Sequence, residues 1–155
     1  MLKIIFPLLI FYSLSVAGQS RSVDRFRKAY PEDNNLFLYS STLQMINTEN
    51  HPEFAGMAKD IDEIRVLNYN KAGSKFTATE IAGLKGGLKE EDYSELLVIS
   101  EKDNKIYLYG REKKGKTIGF VALVENTETF VIVDVDGNID IAKFMQLKNK
   151  LDTRL

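Results

Sequence analysis

The sequence predicts an α+β fold: a predominantly antiparallel sheet with helices packed on it and a four-stranded meander towards the C-terminus. Three observations predict it. Between Tyr93 and Leu147 the chain reads as four short apolar runs, SELLVISE, KIYLYGRE, TIGFVALVEN and TFVIVDV, followed by DGNIDIAKFMQL. Turn residues separate the runs, namely Asp103-Asn104, Lys114-Gly115-Lys116 and Asn126-Thr127. Runs of β-branched and aromatic residues between such breakers are strands joined by hairpins. Connections this short make consecutive strands antiparallel neighbours. Upstream, apolar residues recur at helical spacing, as from Ser22 to Tyr30 and from Thr77 to Leu88.

The chain opens differently. Met1-Leu2-Lys3 carries one positive charge, Ile4 to Val16 is mostly apolar, and Val16-Ala17-Gly18 places small residues before Gln19. That order is the pattern of a secretory signal peptide over residues 1–18, with Gln19 as the mature N-terminus. The competing reading is an uncleaved anchor, but Ile4 to Val16 is short against the roughly 20 residues that span a bilayer. Residues 19–155 then form a single α+β domain, about the length that supports one core. The expected location is periplasmic or secreted, with no membrane span after signal removal.

With no cysteine, disulfides, thiolate chemistry and a lipid anchor on cysteine are all excluded. The chain has 21 basic and 22 acidic residues, and loss of Lys3 brings the net charge near −2. That balance, without a basic stripe, argues against nucleic acid or anionic lipid as partner.

Taken in order, Ser22 is the expected N-cap of a first helix that Pro31 ends, with Val23, Phe26 and Tyr30 on its apolar stripe. Leu36 to Tyr39 is a short strand. Ser40-Ser41-Thr42 caps a helix that turns Leu43 and Ile46 inward. Pro52 suits the first turn of a helix continued by Phe54, Met57 and Ile61. Glu63 to Tyr69 alternates as a strand, with Ile64 and Val66 on one side; Leu67 beside Arg65 means the other side is partly covered. Thr77 and Glu80 form a capping box. Ile81, Leu84 and Leu88 are the buried face of that helix, and Gly86-Gly87 is where it ends.

The third and fourth meander runs are apolar on both faces: Ile118, Phe120, Ala122 and Val124 against Val121 and Leu123, then Phe130 and Ile132 against Val131, Val133 and Val135. A sheet with one wet face alternates apolar with polar, so both faces are expected to be covered over part of their area. Asn138-Ile139-Asp140 begins a last helix, with Ile141, Phe144 or Met145, and Leu147 or Leu151 facing in.

Chemistry-bearing patterns are few. Asp134, Asp136, Asn138 and Asp140 flank Gly137 like an oxygen-rich calcium loop. With Gly137 at position 6 of such a loop, Ile132 occupies position 1 and Lys143 position 12, neither a ligand. The stretch therefore reads as Asp134 ending a strand, Asp136-Gly137 turning, and Asn138 or Asp140 capping the helix. No metal or cofactor is expected. His51 is a lone loop histidine without a visible nucleophile or orienting acid, Glu90-Glu91-Asp92 is a solvated link, and no catalytic residue stands out. Tyr107 and Tyr109, on one side of the meander, are the only hint of an interaction face; burial under the N-terminal helix is the plainer fate.

Several motifs together resemble the domain-of-unknown-function family 4252 (DUF 4252), small exported proteins of Bacteroidetes. They are the leader before Gln19, FRKAY at 26–30, IRVLNY at 64–69, YSELLVI at 93–99, KIYLYGRE at 105–112 and DGNIDIAKFMQL at 136–147. The resemblance implies an exported α+β domain and carries over no activity or catalytic residue. Many members have a lipid-anchoring cysteine or an unrelated leader, and this chain has no cysteine. The functional expectation is a non-enzymatic protein that binds another protein or an envelope component. The alternative is a carboxylate-dependent hydrolase of an envelope polymer, which needs two acids converging in a cleft.

Overall fold

The computed structural model describes residues 19–46, 52–138 and 140. Helix α1 spans Arg21–Ala29, strand β1 Asn34–Tyr39, α2 Ser40–Met45, α3 Pro52–Asp60, β2 Ile61–Asn70 and α4 Ala78–Glu90. Strands β3 (Tyr93–Glu101), β4 (Asn104–Lys113), β5 (Lys116–Glu125) and β6 (Thr129–Gly137) follow. The six strands form one sheet in the order β1-β2-β6-β5-β4-β3. Every neighbouring pair is antiparallel. The expected meander is therefore present as β3 to β6, and β2 closes against its last strand.

Local chemistry explains the hairpins. Lys114 and Gly115 both have positive φ, 53° and 74°, which a two-residue turn matched to the strand twist requires. The β5–β6 connection is pinned by the Asn126 side chain, whose Oδ1 accepts from the Glu128 and Thr129 N–H groups.

Both faces of the sheet carry a core. On one, Leu67, Tyr69, Tyr109, Val121, Leu123, Phe130 and Ile132 pack with Val23 and Phe26 of α1, with Ile81, Leu84 and Leu88 of α4, and with Phe76. Phe26, Tyr69, Phe76 and Phe130 make mutual ring contacts at centroid distances of 5.2 to 6.0 Å, inside the range of favourable aromatic pairs. On the other face, Ile61, Phe120 and Val135 meet Leu43 of α2 and Ala58 of α3, with Leu38, Ile64, Leu108 and Val133 half-buried around them. The doubly apolar middle strands are apolar because helices lie on both sides of them.

Several boundaries differ from expectation. The N-cap of α1 is Ser20, whose Oγ accepts from the Val23 N–H at 3.2 Å. Ser22 lies inside the helix because its hydroxyl is taken by Glu91, which also accepts from the Arg21 and Ser22 N–H groups. Ser40 is the first residue of α2, and its hydroxyl donates to the Ala58 carbonyl at 3.0 Å, tying α2 to α3. Leu43 is buried as expected, but Ile46 is 55% exposed because α2 ends before it. Ile61 opens β2 and does not extend α3. The signal segment, His51 and the helix expected after Asp140 lie outside the described residues.

The capping box of α4 is present, but the helix runs through Gly86-Gly87 to Glu90. Gly87 is buried at the crossing with α1, where an added Cβ would lie 3.1 Å from the Ser22 Cβ and closer still to its hydroxyl. Gly86 faces open space. The first glycine thus tolerates a methyl group and the second does not. Gly86→Ala should raise stability by roughly 0.5–1 kcal/mol through helix propensity. Gly87→Ala should lower it by about 1–3 kcal/mol through overpacking. Urea unfolding of the two variants should move the midpoint in opposite directions; shifts of the same sign would contradict this packing.

Candidate functional site

The most unusual side chains in the core are charged. Arg65 of β2 and Asp134 of β6 are direct partners in the strand register, and both are buried. The Arg65 Nη2 donates to Asp134 Oδ2 at 2.7 Å, while Nη1 donates to Asp24 of α1. The Ser20 N–H donates to the same Asp134 oxygen at 3.3 Å. This cluster joins the start of α1 to the centre of the sheet.

Its charges do not balance. Burial pushes the Asp134 carboxyl up to about 6, against the opposing pull of Arg65 and the Ser20 N–H. Burial alone would lower the Arg65 pKa, but Asp134 and Asp24 outweigh it and raise it. Asp134 Oδ1 and Arg65 Nε are buried without a hydrogen-bond partner among the described residues. The expectation that Asp134 ends a strand and Asp136-Gly137 turns is corrected here. β6 continues through Gly137, with Asp134 inside the sheet and Asp136 paired to Glu63 and Gly119. Among the described residues no group of three or more acidic, histidine or cysteine side chains is placed to hold a metal ion.

Tyr109 is 1% exposed and sits in the core cluster shared with α1 and α4. Its hydroxyl donates to Glu95 at 2.9 Å, and burial together with that carboxylate raises the phenol pKa. Tyr107 is half-buried, with the Lys85 ammonium of α4 at 3.2 Å from its ring centroid, a cation–π contact. The ring contacts of α1 fall at the other end of the sheet, on Tyr69 and Phe130. Helix α4, which follows β2 in the chain, is thus the element that reaches Tyr107.

Beyond Tyr107 the sheet ends at β3, and this edge stands out. Leu96, Leu97 and Val98 are 45%, 37% and 45% exposed on the outermost strand. A bulge between Glu95 and Leu97 interrupts the pairing with β4, and Val98 stands opposite Tyr107. Cross-strand partners share a face, so Val98 and Tyr107 lie together on the α4 side. No alternation in YSELLVISE distinguishes this strand from the buried ones, which is why its exposure was not legible in sequence.

An open depression of about 760 Å³ lies at the end of the sheet, lined by residues including Asp33, Asn70, Lys71 and Glu128. Asp33 and Glu128, its two acids, are exposed, and Asp33 is occupied by the Asn70 N–H at 2.6 Å. The cleft therefore lacks the desolvated acid that carboxylate hydrolysis needs. No helix among the described residues is long and apolar enough to cross a membrane.

Residues 32–147 match the family described as Domain of unknown function (DUF4252). The chain belongs to that family. No curated protein and no solved structure matches it. The DUF4252 match begins within the connection between α1 and β1 and takes in the whole six-stranded sheet, so both the Arg65–Asp134 pair and the β3 edge fall inside it.

Removing one partner of a buried ion pair strands the other, whereas replacing both with apolar groups is often neutral or better. Arg65→Met should therefore destabilise this DUF4252 protein by about 3–5 kcal/mol, and Arg65→Met with Asp134→Leu should recover most of the loss. Chemical unfolding of the single and double variants checks this; a double variant no better than Arg65→Met would refute it.

Proposed function

We propose that this DUF4252 protein is exported and acts without catalysis, by taking an extended segment of another envelope polypeptide along the outer edge of β3. The observation that carries the reading is the run Leu96-Leu97-Val98, exposed on a strand with one side unpaired. Edge strands usually avoid apolar side chains or blunt them with charge, because unpaired backbone groups there template a further strand. Here the charges, Glu95 and Glu101, flank the apolar stretch and leave its centre clear. Strand addition would supply backbone hydrogen bonds for affinity and alternate side-chain contacts for selection. Tyr107 borders this surface opposite Val98, and Tyr109 supports it from beneath by holding Glu95. The leader before Gln19 supports export, and the lack of cysteine leaves the mature chain without a thiol-linked lipid.

A photo-crosslinking residue placed at Leu96 should capture a discrete envelope protein in the native cell, and the same residue at Lys113, on the exposed β4–β5 hairpin, should not. Val98→Lys, folded by circular dichroism, should abolish the adduct. Equal crosslinking from both positions, or none from Leu96, would contradict the proposal. Terminal sequencing of the protein recovered from that cell should find Gln19 first.

A further inference from the structure

The Arg65–Asp134 cluster touches Ser20, one residue after Gln19. Ser20 is fully buried, and its N–H donates to Asp134 Oδ2. Arg65 donates to that same oxygen, so both contacts fall on Oδ2, and Oδ1 is buried without a partner among the described residues. The backbone nitrogen of Gln19 is one residue further along, within about 3.6 Å of the Ser20 nitrogen. Arg65 is shared between two carboxylates, Asp134 and Asp24.

We propose that Asp134 is the receptor for the α-ammonium group released when the chain is cut between Gly18 and Gln19, so that processing completes a buried ion cluster. The inference rests on the proposed export and adds an intramolecular consequence to it. Before cleavage the Gln19 nitrogen is a neutral amide with one N–H. Hydrolysis of the Gly18–Gln19 bond by water gives Gly18 a carboxylate and Gln19 an ammonium with three donors and a full positive charge. That charge would face Oδ1, giving two cations to the two carboxylates.

Among the described residues, the neighbouring ionisable groups have contacts of their own. Glu91, after α4, is occupied by the Arg21 and Ser22 N–H groups. On β4, Arg111 lies over the Tyr93 ring and acts on Asp136. Tyr93 of β3 is buried, and burial together with Asp134 raises its pKa, so it stays neutral. Asp136 of β6 is raised by burial and by Asp62.

With Gln19 in amide linkage the folded Asp134 titrates at about 6, above the usual 3.8. Its contribution to stability is present below about pH 4 and lost as pH rises through 6. An ammonium beside it would oppose that loss until the amine itself deprotonates, near or above pH 8.

The test compares the chain beginning at Gln19, released from a fusion and checked by mass spectrometry for an uncyclised glutamine, with one beginning at Gly18. The Gln19 chain should have the higher melting temperature, with the gap opening between pH 4 and 7 and closing above pH 9. The Asp134 carboxyl, followed by NMR, should titrate lower in that chain. Asp134→Asn should erase the gap. A pH-independent gap would mean simple crowding by the extra residue and would overturn the proposal, as would identical Asp134 titrations. Should Asp134→Asn not fold, the NMR comparison decides alone. Because both termini are made in vitro, a latch that fails here is distinguishable from export that fails in the cell.

Discussion

The pairing of β2 with β6 is the constraint on which the rest of the structure depends. It joins the β1–β2 pair to the meander, and it sets Arg65 directly opposite Asp134. Apolar pattern alone specifies this register weakly, because β6 carries Phe130 and Ile132 on one face and Val131, Val133 and Val135 on the other. Slipping a strand by one residue exchanges its faces, and here the exchange would trade one apolar set for another. What it would not survive is the separation of a buried guanidinium from a buried carboxylate. A charge pair in this position stabilises little for its desolvation, yet it distinguishes one register from its neighbours.

The helices are placed by the same centre. Asp24 reaches Arg65 from α1, and Ser20 reaches Asp134 from its N-cap. Glu91, just past α4, holds the first turn of α1, and Gly87 lets the two helices approach. The α1–α4 face is therefore organised around polar contacts at one end and around the Phe26, Tyr69, Phe76 and Phe130 rings at the other. Away from that centre, towards β3, the Lys85–Tyr107 contact of α4 lies beside Leu96, Leu97 and Val98, which are exposed. Exposed apolar side chains occur at both edges, Leu36 and Tyr39 on β1 and Leu96 to Val98 on β3, but only on β3 do three consecutive ones form a run.

What was legible in the sequence was local. Turn chemistry gave the meander, Thr77 and Glu80 gave the start of α4, and the doubly apolar runs implied that both faces are covered in part, though not by what. What was not legible depends on partners far away in the chain. Asp134 reads as a strand end from its neighbours Asp136 and Gly137; its partner Arg65 is 69 positions earlier. One signal was present, since Arg65 shares a face with Leu67 and Tyr69, and Asp134 shares one with Phe130 and Ile132. A charge of each sign on apolar faces invites pairing. Gly87 reads as a helix end for the same reason: nothing nearby reveals that Ser22 packs against it. The exposure of Leu96 to Val98 follows only from the strand order, which no short-range pattern encodes.

The most direct test of the central claim is the number of β2–β6 registers that the chain populates once the charges are gone. Cross-strand NOEs between β2 and β6, measured by NMR in the protein carrying both Arg65→Met and Asp134→Leu, report it. If the ion pair specifies the register, a second set of contacts, from a shifted β6, should appear beside the original Leu67–Ile132 and Val66–Val133 contacts. A single set identical to that of the unmodified protein would show that apolar packing alone sets the register, and would contradict the account.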